Sequence, residues 1–127
     1  MRVTVDPSAQ PSQEFGYAPA SEYELRIKGV ESAQKEGSPF SYLAWEFEFA
    51  DPNVQAVEQG KKVGGIFENT SLNPKAQFRL RDLSDALGMT WGDFDTDATI
   101  GMTFRAKVGI ETYNGRMKNV VDRYCKR

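Results

Sequence analysis

The residues with the clearest chemical potential lie in one short ribbon near the end of the printed sequence. The segment ETYNGRMKN, residues 111–119, contains an Asn-Gly pair, which favours a two-residue type I′ turn between antiparallel strands. Such a turn places Tyr113 opposite Arg116 and Glu111 opposite Lys118 on the outer face of a hairpin. Cations hold phosphate groups, and an exposed aromatic ring stacks on an unpaired base. The ribbon therefore has the chemistry for binding single-stranded nucleic acid.

The same register predicts how the rest of the hairpin is paired. It leaves Cys125 buried as a small apolar residue rather than exposed as a nucleophile. It also turns Arg123 toward the interior, where a cation fits poorly, so the pattern predicts a β-bulge or a barrel rim near that residue. The predicted pairs are Lys107 with Asp122, Arg105 with Tyr124, Ile110 with Asn119, Val108 with Val121, and Phe104 with Cys125.

Other elements must lie beside the hairpin to form a groove. Alternation of apolar and polar residues predicts strands in EYELRIKGV, residues 22–30, and in SYLAWEFEF, residues 41–49. A third strand follows in KVGGIFENTSL, residues 62–72, and the hairpin supplies the fourth and fifth. Before the hairpin, NPKAQFRLRDLSDALG, residues 73–88, has helical periodicity, with a capping Asn at its start and a Gly at its end.

This order of elements predicts a mainly β protein, a five-stranded OB-like barrel with one α-helix between strands three and four. An open β-sandwich with a packed helix remains the alternative, because closure depends on strand tilt and shear. At 127 residues the chain suits a single domain. Residues 1–20 lack periodicity and are predicted to form an extended N-terminal arm, whereas residues 21–127 form the OB-like domain.

In an OB barrel, the loop between the first two strands and the loop between the last two line one ligand groove. The first of these loops and the strands around it add cations and aromatic rings to those of the hairpin. The competing interpretation is a solvated hairpin with ordinary cross-strand ion pairs, such as Glu111 with Lys118. The predicted nucleic-acid-binding residues are Arg26, Lys28, Lys35, Phe40, Tyr42, Arg105, Lys107, Tyr113, Arg116 and Lys118.

Catalytic and metal chemistry have little support in the sequence. The chain has no histidine and one cysteine, which excludes imidazole-based catalysis, an intrachain disulfide and Cys-x-x-Cys zinc sites. The segment DFDTD, residues 93–97, begins like a calcium loop, but Ala98 and Phe104 stand where that loop needs Gly and Glu. We predict a non-enzymatic protein without cofactor or metal, and a carboxylate-based nuclease or hydrolase is the weakest alternative.

Charge is distributed unevenly along the chain, although the net charge is only −2. Residues 1–60 carry four basic and ten acidic groups, and residues 61–127 carry twelve basic and eight acidic groups. Because local potential rather than net charge attracts an anion, the C-terminal part is where we expect phosphate to bind. No apolar run approaches the roughly 20 residues of a membrane helix, and the N-terminus lacks the apolar core of a signal peptide. We therefore expect a cytoplasmic protein with no membrane partner.

Several segments together resemble a family of small phage-encoded proteins. The resemblance spans residues 14–122 and rests on GIFENTSL, the helix ending in ALG, the IG before the fourth strand, and the YNG hairpin. That family is catalogued under a domain-of-unknown-function label and is often described as single-stranded-DNA-binding or recombination-associated. The resemblance implies an OB-like protein that coats single-stranded DNA with low sequence specificity in phage replication or recombination, inside an infected or lysogenic bacterium.

The resemblance also implies phage replication or recombination proteins as partners, and it leaves homo-oligomer formation open. Phage and bacterial single-strand binders resemble one another in an acidic, flexible C-terminal tail, whereas the printed sequence ends VVDRYCKR, directly after a predicted strand. The alternative function, from another class, is a phage accessory module that inhibits or recruits a host or phage protein through the same barrel.

Overall fold

The computed structural model describes residues 1–4, 15–34, 36–92 and 94–127, so the predicted contact Lys35 lies outside the described residues. Short 3₁₀ turns occur at Pro74–Ala76 and Asp97–Thr99. The strands are β1 (Phe15–Gly16), β2 (Ser21–Gln34), β3 (Ser41–Phe49), β4 (Lys62–Val63), β5 (Ile66–Ser71), β6 (Thr103–Tyr113) and β7 (Arg116–Tyr124), and the helix is α1 (Phe78–Leu87).

Five strands form one antiparallel sheet in the order β5, β3, β2, β6, β7. The long central strand β2 pairs with β3 on one side and β6 on the other, and a register shift between Ile27 and Gly29 lets it bend. No backbone ladder joins the edge strands β5 and β7 within the described ranges, so the sheet is not closed. The predicted mainly β architecture, with its one helix before the last two sheet strands, is confirmed.

The two open edges of the sheet are joined by side chains. Arg79 on α1 donates from Nε to Glu68 Oε1 on β5 at 2.7 Å, and from Nη2 to the Val121 carbonyl on β7 at 2.9 Å. The Tyr124 hydroxyl on β7 donates to the second oxygen of Glu68. Burial and the neighbouring Glu68 raise the pKa of Tyr124 above its ordinary value, so it keeps its proton. We call Glu68, Arg79 and Tyr124 the seam cluster.

Alternation along the strands produces the core, as the sequence predicts. In β3 every second side chain is buried, and those between are half-buried on the outer face. Trp45 Nε1 donates to Thr70 Oγ1 at 2.8 Å, which satisfies its polar atom inside the core. Leu80, Leu83 and Leu87 of α1 cover the core. The buried apolar residues of the sheet are Leu25, Ile27, Leu43, Trp45, Phe47, Phe49, Ile66, Phe104, Ala106, Val108, Val121 and Tyr124.

The predicted helix begins as a tighter turn. Asn73 caps it as expected, because its Oδ1 accepts from the backbone nitrogen of Lys75 at 3.1 Å, but it caps the 3₁₀ turn Pro74–Ala76. The α-helix itself starts at Phe78, and Gly88 ends it with a φ of 73°. A 3₁₀ turn is common at the end of an α-helix, where the first groups lack intrahelical partners.

The predicted third strand is divided at Gly64 and Gly65. The part before these glycines, β4, pairs in parallel with β1, and only the part after them joins the main sheet. A Cβ on Gly64 would lie 3.1 Å from the Cβ of Phe15, so glycine allows the N-terminal segment to approach closely. The backbone nitrogen of Gly64 donates to the Gly16 carbonyl at 3.1 Å.

A single asparagine fixes the end of the N-terminal segment to the sheet. The Ala18 backbone nitrogen donates to Asn119 Oδ1 at 2.7 Å, and Asn119 Nδ2 donates back to the Ala18 carbonyl at 2.9 Å. Asn119 Nδ2 also donates to the Gly109 carbonyl at 3.2 Å. Because both Ala18 and Asn119 are buried, water cannot replace these bonds.

Replacing Asn119 by alanine should therefore destabilise the protein by about 2–3 kcal/mol, since a buried N–H and a buried carbonyl of Ala18 lose their partners. Urea unfolding followed by circular dichroism measures the change. Asn69, an exposed asparagine on β5, provides the matched control, and Asn69→Ala should shift the unfolding free energy by less than about 0.5 kcal/mol. Equal effects of the two changes would contradict the role assigned to Asn119.

Candidate nucleic-acid interface

The turn between β6 and β7 has the predicted geometry. Asn114 and Gly115 both have positive φ, 50° and 75°, as a type I′ turn requires. Beyond the turn the predicted register is confirmed as far as the middle of the hairpin. The observed pairs there are Tyr113 with Arg116, Glu111 with Lys118, Ile110 with Asn119, and Val108 with Val121.

The register then shifts by one residue, so three predicted pairs are wrong. A β-bulge lies between Lys107 and Val108, where Asp122 has no partner on β6. The observed pairs beyond it are Lys107 with Arg123 and Ala106 with Tyr124, in place of Lys107 with Asp122, Arg105 with Tyr124 and Phe104 with Cys125. The predicted bulge is thereby confirmed.

Gly109 lies beside the bulge. The Asp122 carboxylate occupies the space that a side chain at residue 109 would fill, so any larger residue there would have to displace that carboxylate. The extra residue reverses the alternation that follows. Tyr124 consequently points into the core and joins the seam cluster, whereas Cys125 lies half-buried on the outer face, which corrects the prediction that it is buried.

The bulge also creates a pair of like charges on the outer face. Arg123 is turned outward and stands directly opposite Lys107, and both side chains are exposed. Like charges directly opposite one another destabilise a sheet. Among the described residues, no carboxylate lies within ion-pair distance of either cation. The sequence analysis did not include Arg123 among the candidate binding residues, although its poor fit to the inner face was the signal that it lies on the outer face.

Glu22 is the acidic residue that could have neutralised this pair, because it stands opposite Lys107 on β2. Its carboxylate makes its direct contacts with other groups, although the charge of Arg123 also helps to lower the pKa of Glu22. It accepts from Cys125 Sγ at 3.1 Å and pairs with Arg105 Nη2 at 3.1 Å, and these two contacts, the thiol first, lower the pKa of Glu22. The same hydrogen bond, followed by burial, raises the pKa of Cys125, so the thiol stays protonated and is a poor nucleophile at neutral pH.

The tip of the hairpin presents an aromatic ring and further cations on the same outer face. Tyr113 is 62% exposed, and Lys118 Nζ lies 5.1 Å from the centre of its ring. Glu111 stands opposite Lys118 as predicted, but the two do not form an ion pair within the described part of the chain. We call the outer-face residues Lys107, Tyr113, Arg116, Lys118 and Arg123 the basic ribbon.

Three other predicted cations are neutralised by neighbouring carboxylates on the outer face. Exposed ion pairs of this kind contribute little to stability, but they remove the net charge that would attract a phosphate. The pairs are Arg26 with Glu48 at 3.2 Å, Lys28 with Glu46 at 3.5 Å, and Arg105 with Glu22 at 3.1 Å.

The two remaining predicted residues, Phe40 and Tyr42, lie far along the sheet from the hairpin. They flank the start of β3, which pairs with the end of β2 at Gln34. The start of β2, at Ser21, pairs instead with Val108 next to the hairpin. The structure therefore places these rings and the basic ribbon at opposite ends of β2 rather than in one site.

No group of three potential metal ligands of the His, Cys, Asp and Glu types occurs among the residues that the structure describes. In the segment that begins like a calcium loop, Asp93 lies outside the described residues, and the Asp95 carboxylate accepts from the backbone nitrogen of Asp97 at 3.0 Å. This carboxylate therefore stabilises a local turn. In the described ranges, neither α1 nor the 3₁₀ turns has the length and apolar character needed to cross a membrane.

Comparison with known proteins adds no family assignment. No protein-family model matches the sequence, and no curated protein matches it. The resemblance to phage-encoded proteins therefore rests on the motifs quoted above and remains a prediction.

Proposed function

We propose that the protein binds single-stranded DNA with low sequence specificity through the basic ribbon. The observation that carries the proposal is the like-charged pair of Lys107 and Arg123, which stand opposite each other while no described carboxylate lies within ion-pair distance of either. Such a pair is unfavourable in the free protein, and a phosphate group bound between the two cations would relieve the repulsion. Lys118 and Arg116 continue the positive charge toward the tip of the hairpin.

Tyr113 gives the same surface a preference for unpaired bases. Its ring is exposed at the tip, and Lys118 covers part of it at a distance typical of a cation–π contact. A base can stack on the ring while the phosphates on either side contact the cations. Stacking of this kind depends little on base identity, because every base presents a π face.

We further propose that the open sheet is an OB-like barrel whose edges are bridged by side chains. A central β2 flanked by β3 and β6, with the edge strands β5 and β7 brought together by the seam cluster, fits a partly open five-stranded Greek-key barrel. In that architecture, the loop joining the last two strands lines the ligand groove. The basic ribbon would then occupy one wall of that groove.

The motif resemblance supports a role in phage replication or recombination. The protein would coat single strands and remove their secondary structure in the cytoplasm of an infected or lysogenic bacterium, without catalysis or a cofactor. Proteins of phage replication or recombination would then be its partners. This biological setting rests on the resemblance, whereas the binding surface rests on the geometry of the hairpin.

Fluorescence anisotropy of a labelled oligo-dT at low and high salt tests the proposal. Oligo-dT forms no stable secondary structure, so its binding reports single-strand affinity alone. We expect binding at low salt that weakens steeply as salt rises, and weaker binding to a duplex of the same length, which offers no unpaired base to Tyr113. Absence of binding at low salt would contradict the proposal and favour a protein-interaction module.

Replacing Tyr113 by alanine should weaken oligo-dT binding by about 1–3 kcal/mol, the typical contribution of one stacked base. Tyr113→Phe keeps the ring and should retain most of the affinity, which makes it the matched control. The same anisotropy titration measures both variants. Equal losses of affinity in the two variants would show that the hydroxyl rather than the ring contacts the strand. Unchanged affinity in both variants would show that Tyr113 does not stack on a base.

A further inference from the structure

Two groups hold the carboxylate of Glu22, which lies on the outer face at the start of β2. Arg105 on β6 donates to one oxygen, Oε2, from Nε at 3.3 Å and from Nη2 at 3.1 Å. The Cys125 thiol donates to the other oxygen, Oε1, at 3.1 Å. Both carboxylate oxygens therefore have partners, and the side chain reaches across β6 to the residue that follows β7.

The pairing of the strands brings a different cation closer to Glu22. Glu22 stands directly opposite Lys107, whereas Arg105 stands opposite Glu24 and is only a diagonal neighbour of Glu22. The Cβ atoms of directly opposite residues are roughly 4.5–5.5 Å apart, and diagonal neighbours are roughly 7–8 Å apart. An ion pair of Glu22 with Lys107 is thus within reach, yet the diagonal contact forms. The guanidinium fork, which directs two donors at one oxygen, and the thiol on the other oxygen favour that contact.

The contact that Glu22 makes determines how much charge the pair of Lys107 and Arg123 presents. The carboxylate lies within the electrostatic influence of this pair, because the charge of Arg123 adds to the thiol and Arg105 in lowering the pKa of Glu22. If Glu22 turned to Lys107, it would cancel one of the two cations. A phosphate would then have to displace the carboxylate before it could bind there.

We propose that Arg105 and Cys125 are positioning residues, which hold Glu22 away from Lys107 and so keep the cations Lys107 and Arg123 free for a phosphate. The inference rests on the proposed function, because it concerns the same site. Neither positioning residue needs to touch the strand, since Glu22 neutralises Arg105 and the half-buried thiol carries no charge. Arg105, which the sequence predicts to be a binding residue, thus acts on DNA through Glu22.

A variant that conserves charge tests this role in the oligo-dT anisotropy titration. Arg105→Lys combined with Cys125→Ala removes the guanidinium fork and the thiol without changing the net charge. We expect this variant to bind oligo-dT roughly fivefold to tenfold more weakly at low salt, because Glu22 then turns to Lys107 and one phosphate contact is lost. In a Glu22→Gln background the same two changes should cause no loss, since no carboxylate remains to turn.

Glu24→Gln is the matched control for that background, because it changes the net charge equally at an exposed residue two positions along β2. The loss should persist there, since Glu24 stands opposite Arg105 rather than Lys107. Cys125→Ser alone is the conservative variant. It should retain the wild-type affinity, because a hydroxyl also donates to Glu22. A charge-conserving variant that binds as tightly as the wild type would overturn the inference, as would a loss that persists with Glu22→Gln.

Nuclear Overhauser contacts in the free protein locate the Glu22 side chain without DNA. In the wild type they should connect Glu22 with Arg105 and Cys125, and in the charge-conserving variant with Lys107. A Glu22 side chain that stays beside residues 105 and 125 in the variant would overturn the inference. Absence of oligo-dT binding by the wild type would instead contradict the proposed function, so the two failures are distinguishable. Circular dichroism verifies the fold of each variant.

Discussion

Reversing the charges of Lys107 and Arg123 together, by Lys107→Glu and Arg123→Glu, should weaken oligo-dT binding at low salt by on the order of a hundredfold. Two phosphate contacts are lost, and two carboxylates are placed where the strand must pass. Because both side chains are exposed and neither makes an ion pair among the described residues, the fold should tolerate the change. Fluorescence anisotropy gives the affinity, and circular dichroism verifies the fold.

A variant with the same change in net charge separates local from global electrostatics. Lys75 and Arg81 are exposed on the 3₁₀ turn and on α1, outside the basic ribbon. Lys75→Glu combined with Arg81→Glu should reduce oligo-dT affinity by less than about fivefold at moderate salt, where distant charges are screened. A control variant that loses as much affinity as the ribbon variant would show that net charge, not the Lys107 and Arg123 pair, governs binding.

Replacing Arg79 by alanine should cost about 3 kcal/mol of unfolding free energy. The Glu68 side chain is only 13% exposed, and its carboxylate would lose the Arg79 cation. The Val121 carbonyl would lose its hydrogen-bond donor. Both losses occur at the only place where α1 bridges β5 and β7 through side-chain bonds in the described part of the chain. Urea unfolding measures the change.

Arg81→Ala is the control for this prediction, because Arg81 lies two residues further along α1, is exposed, and should change stability by less than about 0.5 kcal/mol. Similar losses in the two variants would mean that the seam cluster contributes no more than a surface arginine. A large loss in Arg79→Ala alone would show that the open edges of the sheet depend on a side-chain bridge where a closed barrel uses backbone hydrogen bonds.

Local patterns determine most of the fold, and the sequence predicts those parts correctly. The alternation of apolar and polar residues around Trp45 and Phe47 identifies β3, because every second side chain of a strand lies on the same face. The Asn114-Gly115 turn is also determined locally, since few other residue pairs adopt positive φ at both positions. Local sequence patterns of this kind predict the structure without knowledge of the neighbouring strands.

The register beyond the bulge depends on contacts that the pattern does not encode. A bulge is predicted from the poor inward fit of Arg123, but its position between Lys107 and Val108, beside the Asp122 carboxylate that lies over Gly109, is found only in the structure. The seam cluster is also invisible in the sequence, because Glu68, Arg79 and Tyr124 come from three separate elements. A shift of one residue exchanges the two faces of a strand, which is why the predicted register turns Arg123 inward whereas the structure turns it outward.

The structure also changes which residues form the candidate binding surface, because their cross-strand contacts are not encoded in the local sequence pattern. The predicted register gives Lys107 and Lys118 the carboxylates of Asp122 and Glu111 as cross-strand partners, and it leaves Arg105 without one. The structure separates Lys107, which has no carboxylate partner among the described residues, from Arg105, whose charge is taken up by Glu22. Cross-strand partners are far apart in the sequence, so the pattern of charges along the chain does not distinguish Lys107 from Arg105.

The salt dependence of oligo-dT binding tests the central claim most directly. A single strand that contacts the four cations of the basic ribbon should give a plot of log K against log salt concentration with a slope of about −3, at roughly −0.7 per phosphate contact. The Lys107→Glu and Arg123→Glu variant should have a slope that is shallower by about 1.4. An affinity independent of salt, or the same slope in wild type and variant, would contradict the claim that this ribbon binds the strand.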